Sequence, residues 1–124
     1  MLPVVADREV TLREYADRWL EVVKSEIEPA TWRNYRERLN NHILPTLGRL
    51  KLREVRRRHI KALLNDKRAQ GHAPNGVRMM KAALSSLLTD AVDDEIIESN
   101  PALQVGRKKK RWLVSRPGLE PGTP

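Results

Sequence analysis

The sequence predicts an all-α fold, a bundle of about four helices, on three observations. Apolar residues recur at three- and four-residue spacing in four separate stretches, the period of a helix with one face turned to a core. Three of these stretches open on a helix-start signal: Thr11 with Glu14, Pro29 and Pro74. Breakers fall between and after them at Pro45, Gly48, Gly71 and the Asn100-Pro101 pair. A length of 124 residues accommodates one domain with its own core.

The elements follow in order. Residues 1–10 read as a flexible arm. Thr11 and Glu14 then form the S/T-x-x-E capping box of a first helix over about Leu12 to Glu26, with Leu12, Tyr15, Trp19, Val22 and Val23 on its apolar side. Pro29 starts a second helix, in which Trp32, Tyr35, Leu39 and Ile43 line one side and Asn34, Glu37, Arg38 and Asn41 the other. It is expected to break near Pro45. Gly48 to Val55 alternates apolar with charged residues over too short a run for a helix, so a turn with an extended stretch is expected there. A third helix spans about Arg57 to Gln70 with Gly71 as its stop, and a fourth runs from Pro74 to about Asp94 on a stripe of Val77, Met80, Leu84, Leu87, Leu88 and Ala91.

Charge is distributed unevenly along this frame. The net charge is +8, yet residues 30–81 carry fourteen Lys and Arg against three acids. Residues 1–29 sum to −3, residues 82–105 to −5 and residues 106–124 to +5. A strongly basic middle between acidic flanks polarises the molecular field and steers a polyanion to one face. Nucleic acid is the expected partner.

Particular residues refine that expectation. Arg56, Arg57 and Arg58 stand at a helix N-terminus, where the macrodipole disfavours cations and a phosphate would compensate; a solvated basic turn is the rival reading. Asn75, Arg78, Lys81 and Ser85 line up opposite the leucine stripe of the fourth helix. There Asn and Arg can reach base edges and Lys81 a phosphate, against the alternative of an ordinary polar face. Tyr15, Tyr35, Trp19 and Trp32 occupy apolar stripes and read as packing residues. His42 is assigned a helix-end hydrogen bond in preference to a phosphate contact, and Asp93, Asp94 and Glu95 a solvated helix end. The three histidines share no ligand spacing, and the chain has no Cys, so no metal site is expected. No nucleophile, base or metal constellation points to an enzyme.

The order TLREYADRWL, PATWRNYRERLNNHILPTLG, LKLREV, LLTDAV and IIESNPA resembles the N-terminal core-binding domain of phage-integrase-type tyrosine recombinases over about Thr11 to Val105. The combination of T-x-R-x-Y, N-H-I-x-P-x-L-G and N-P-A carries the resemblance. It implies a four-helix, SAM-like domain, one half of a clamp around duplex DNA at a recombination core site. Carried over by position, it points to Thr31, Arg33, Asn34 and Arg38 on the second helix, with Asn41 on the same polar side, and to Asn75, Arg78 and Lys81 on the fourth. Ala73 and Gly76 depart from the Ser or Thr usual at the start of that helix. The family's tyrosine nucleophile, arginines and His-x-x-Arg segment belong to a catalytic domain absent from this chain, so truncation before that domain and no enzymatic activity are expected.

RKKKRW, Arg107 to Trp112, resembles the family's basic interdomain linker, in which Lys108 and Lys109 would meet phosphates. The expected organisation is therefore an arm over 1–10, a core-binding domain over 11–105, and a basic linker with a disordered tail over 106–124. The expected partner is double-stranded DNA, with docking on intact recombinase protomers as the alternative role. No cofactor, membrane or small-molecule substrate is expected. Neither a signal-peptide pattern nor an apolar run of the roughly 20 residues a span needs is present, which predicts a soluble, cytoplasmic protein.

Overall fold

In the computed structural model, residues 9–104 are described. They form α1 (Leu12–Val23), α2 (Pro29–Arg38), a π-helical turn (Leu39–Ile43), α3 (Leu44–Leu47), a 3-10 turn (Leu52–Glu54), α4 (Arg57–Ala69), α5 (Pro74–Asp93) and a closing 3-10 turn (Pro101–Gln104). The second helix of the sequence reading thus comprises α2, the π turn and α3, and the third and fourth correspond to α4 and α5. The all-α architecture holds, with no strand among the described residues.

The ends of these helices follow the local chemistry. At α1 the Glu14 N–H donates to Thr11 Oγ1 (3.1 Å) and the Thr11 N–H to Glu14 Oε1 (3.0 Å), the reciprocal bonds of a capping box. At α4 the Arg56 N–H donates to His59 Nδ1 (2.9 Å), so a histidine takes the place of the usual N3 glutamate. α4 closes in a Schellman motif. Gly71 takes φ +96°, its N–H bonds Arg68 O (3.0 Å), and the His72 N–H bonds Lys67 O (3.1 Å). α5 ends in the same way, except that Glu95 occupies the left-handed position at φ 65° and the Ile96 N–H reaches Ala91 O.

Pro45 does not end the second helix. It lacks an N–H and would crowd the carbonyl four residues back. The chain widens by one residue ahead of it: the Leu44 N–H bonds Leu39 O, five positions back, and Pro45 then falls in the first turn of α3, where no donor is required. The stop comes at Gly48, where a Cβ would lie 2.6 Å from Leu44 O.

One core joins all helices, drawing Leu12, Tyr15 and Trp19 from α1, Leu39 and Ile43 from the π turn, Ile60 and Leu64 from α4, and Leu84, Leu87 and Leu88 from α5. Residues 48–52 run back along the start of α1, with the Leu12 N–H on Leu50 O (2.8 Å) and the Leu52 N–H on Val10 O (3.0 Å). Within the span expected as an arm, Glu9 and Val10 are described. Val10 is buried in the core, and Glu9 pairs with Lys51 and Arg53.

Asn100 is the buried polar member of this core. Its Nδ2 donates to Ser85 O (3.0 Å) and Thr89 Oγ1 (2.9 Å), and its Oδ1 accepts from the Ala102 N–H (2.9 Å). The N-P-A motif is therefore a clasp that fastens the closing turn to α5. No helix among the described residues is long and apolar enough to cross a membrane.

Candidate nucleic-acid interface

Two contacts fix how α2 lies against α5. Tyr35 Oη is 3.3 Å from Ser86 Oγ, midway along α5, while the His42 ring meets His72, just before α5, edge-on with centroids 5.1 Å apart. The two helices therefore run in opposite directions, and the C-terminal end of the α2 line lies beside the first turns of α5. Arg38, Asn41 and His42 are brought level with Asn75 and Arg78.

The side chains there are of the types that meet a nucleic acid. Asn41, Asn75 and Arg78 are exposed, and Arg78 Nη1 donates to Asn75 Oδ1 (2.9 Å), which holds the pair ready at the helix start. Lys81 is half-buried one turn further on. Arg33 and Asn34 are exposed farther back on α2, about 12 Å from His42 by helical rise. Thr31 is half-buried on the opening turn of that helix. Ion pairs between described residues run from Lys51 and Arg53 to Glu9, so Arg33, Arg38 and Arg78 have none there. Arginines without an ion pair among the described residues are open to an external anion.

Residues 11–68 match the family model described as phage integrase, N-terminal SAM-like domain. Over that segment the chain is similar to phage-integrase SAM-like domains. The integrase-like domain from Bacillus cereus superposes on the chain with a TM-score of 0.74 at 23% identity, covering 94% of this chain and 97% of that one. The phage integrase SAM-like domain from Moorella thermoacetica gives a TM-score of 0.69 at 25% identity, covering 85% of this chain and 88% of the other. A fragment from Clostridium leptum gives 0.69 at 19%, covering 86% and 96%. No curated protein matches the chain.

The SAM-like fold does not bring every candidate residue together. Arg57 lines a pocket of about 290 Å³ with Arg53, Arg56 and Ser99, beside the segment that follows α5. The thirteen residues of α4 span about 20 Å, which separates Arg57 at its start from Asn75 and Arg78, which follow its end. Ser85, the last member of the expected polar line on α5, is turned to the Asn100 clasp. Lys108 and Lys109 lie outside the described residues.

Three assignments change. Arg38 is half-buried, and its Nε is enclosed without a hydrogen-bond partner. His42 does not make the expected helix-end hydrogen bond: its Nδ1 is enclosed and unpartnered, because the π turn carries the ring inward against His72. Burial, with the positive charges of Lys67, His72 and Arg38 around it, holds the His42 pKa below its ordinary value. The acidic end of α5 is structural as well as solvated. Tyr15 Oη donates to Asp94 Oδ2 (2.7 Å) and Trp19 Nε1 to Asp90. Burial, reinforced by Asp94, pushes the Tyr15 phenol well above its ordinary range.

Among the described residues the Trp and Tyr side chains serve packing. Trp19 and Tyr35 stack with centroids 5.7 Å apart. Trp32 donates its indole N–H to Leu20 O (2.7 Å), and Lys24 and Arg36 each stand 5.1 Å from its ring centre. Arg36 is thereby drawn toward α1, a placement that helical periodicity alone does not give.

Proposed function

We propose that this SAM-like domain grips duplex DNA at a recombination core site, acting as the DNA-binding module of a site-specific recombinase and contributing no chemistry of its own. The observation that carries the reading is the pairing of α2 with the first turns of α5. His42 against His72 brings the end of the α2 line toward the start of α5, which supports a shared face for Arg38, Asn41, Asn75 and Arg78, and among the described residues neither arginine has an ion pair. Exposed Asn and Arg at a helix start suit base edges in a major groove, while Arg33 and Lys81 suit the flanking phosphates. Thr31 and Asn34 extend the same face along α2, and Arg57, with Lys108 and Lys109, supplies more distant backbone contacts.

The test is the salt dependence of duplex binding, followed by fluorescence anisotropy. Each phosphate neutralised adds about 0.9 to the slope of log K against log salt. Arg33→Glu with Arg78→Glu, both at exposed positions, is expected to weaken binding, to flatten that slope by about one through the Arg33 phosphate contact and to relax sequence preference through Arg78. Binding that is insensitive to salt, or unchanged in the double variant, would overturn the reading.

A further inference from the structure

Among the described residues, two enclosed nitrogens, Arg38 Nε and His42 Nδ1, have no hydrogen-bond partner. They sit one helical turn apart on one polypeptide stretch, and the groups around His42 are all basic: Lys67 from α4, His72 from the turn after it, and Arg38 itself. The fold has built this crowding deliberately into its backbone. The Schellman closure of α4 bonds the His72 N–H to Lys67 O, which brings the backbone of these two residues together, and the π turn swings His42 against His72 at 5.1 Å. Buried polar atoms are almost always satisfied in native proteins, so a pair left open among like charges calls for a missing acceptor. An oxyanion is the chemistry that answers Arg, Lys and two imidazoles at once.

We propose that Arg38, His42, Lys67 and His72 form a phosphate notch that receives one backbone phosphodiester of the duplex and takes up a proton from solvent at His42 as it does so. This rests on the DNA-binding reading and adds to it a defined contact and a pH response. The proton balance is simple. In the free domain, burial and the neighbouring basic groups, Lys67 foremost, favour neutral His42; a phosphate between those groups offsets them and favours the imidazolium, whose two N–H groups both donate. Proton and phosphate then bind cooperatively, and by reciprocity duplex affinity rises as pH falls through the His42 titration, by about tenfold for each unit its pKa rises on binding. The notch lies beside Asn41 and the start of α5, so a phosphate held there would fix the register of Asn75 and Arg78 on the duplex.

The experiment uses the full chain. The imidazole resonances of the three histidines are followed by NMR during titration with inorganic sulfate, a tetrahedral oxyanion whose charge is constant across the neutral range. Duplex affinity is measured in parallel from pH 6 to 8 at fixed ionic strength for wild type, His42→Gln and Lys67→Met, with circular dichroism to establish that each variant folds. Sulfate is expected to shift His42 and His72, to leave His59 unmoved and to raise the His42 pKa. His42→Gln is expected to flatten the pH profile while keeping salt-dependent binding through Arg33. Lys67→Met is expected to weaken sulfate binding with the His42 ring left in place. Sulfate without effect on His42 and His72, or a wild-type pH profile in His42→Gln that still binds duplex, would overturn the notch and leave the DNA reading intact. Sulfate shifts at His42 and His72 with no duplex binding at any pH would uphold the oxyanion site and overturn the duplex as its source.

Discussion

Removing the Asn100 side chain tests how the fold holds its last element. Asn100 is 6% exposed and closes the gap between α5 and the Pro101–Gln104 turn. In Asn100→Ala, the hydroxyls of Ser85 and Thr89 can turn back to carbonyls of their own helix. The Ala102 N–H has no such substitute and is left buried without an acceptor, since Oδ1 of Asn100 is its partner at 2.9 Å. One unsatisfied buried donor costs about 1–3 kcal/mol, and the lost donor bonds of Nδ2 add about 1 kcal/mol. The expected loss is therefore about 2–4 kcal/mol, which lowers Tm by roughly 10–20 °C for a folded unit of this size. Asn100→Asp keeps the acceptor for Ala102 and removes the donor, so it is expected to lose less through Ala102 and to isolate the α5 half of the clasp. Urea and thermal unfolding followed by circular dichroism read both values. A loss below about 0.5 kcal/mol in Asn100→Ala, within the range of ordinary surface changes, would refute the clasp.

Other consequences of the structure can be checked with the same equipment. Because the folded-state pKa of Tyr15 is raised, its contribution to stability is complete below the ordinary tyrosine value of 10 and is lost as pH rises beyond it. In a Tyr35→Phe background, phenolate absorbance is expected to appear above that value together with loss of helical signal; phenolate formation at about pH 10 with the helices intact would contradict this. Gly48→Ala places a methyl 2.6 Å from the Leu44 carbonyl oxygen and is expected to cost about 1–3 kcal/mol in urea unfolding; a neutral result would show that the α3 end gives way freely. Glu95 sits at φ 65° and carries a negative charge at a helix C-terminus, so Glu95→Gly is expected to stabilise the domain by about 1 kcal/mol, visible as a higher Tm.

Much of this molecule is legible in its sequence where one local interaction decides the outcome. Thr11 and Glu14 announce the start of α1, Gly71 the stop of α4, and the alternation of Val77, Met80, Leu84 and Leu88 the buried face of α5, because spacing and capping chemistry act over four residues. The polar faces are legible in part: Asn34, Asn41, Asn75 and Arg78 stand exposed, while Arg38 is half-buried. What escapes is everything set by contacts distant in sequence. Pro45 reads as a breaker, yet the π turn ahead of it lets the chain continue, and that added residue turns His42 inward. Ser85 reads as part of an open polar line, but its partner Asn100 lies fifteen positions away. Asp94 reads as solvated because its phenol donor stands 79 residues earlier. Arg57 shares the positive sign of the α2–α5 face without sharing its location, since net charge along a sequence says nothing of which end of a helical hairpin bears it.

In the proposed function one face of the domain meets DNA. A heteronuclear NMR shift map, recorded while a short duplex is added at low salt to the isotopically labelled chain, reports that face residue by residue. The largest amide shifts are predicted at Arg33, Asn34, Arg38 and Asn41 and at Asn75 and Arg78, with Trp19, Asp90 and Asp94 at the acidic end left unmoved. Shifts centred on that acidic end, or spread evenly over all the helices, would contradict it.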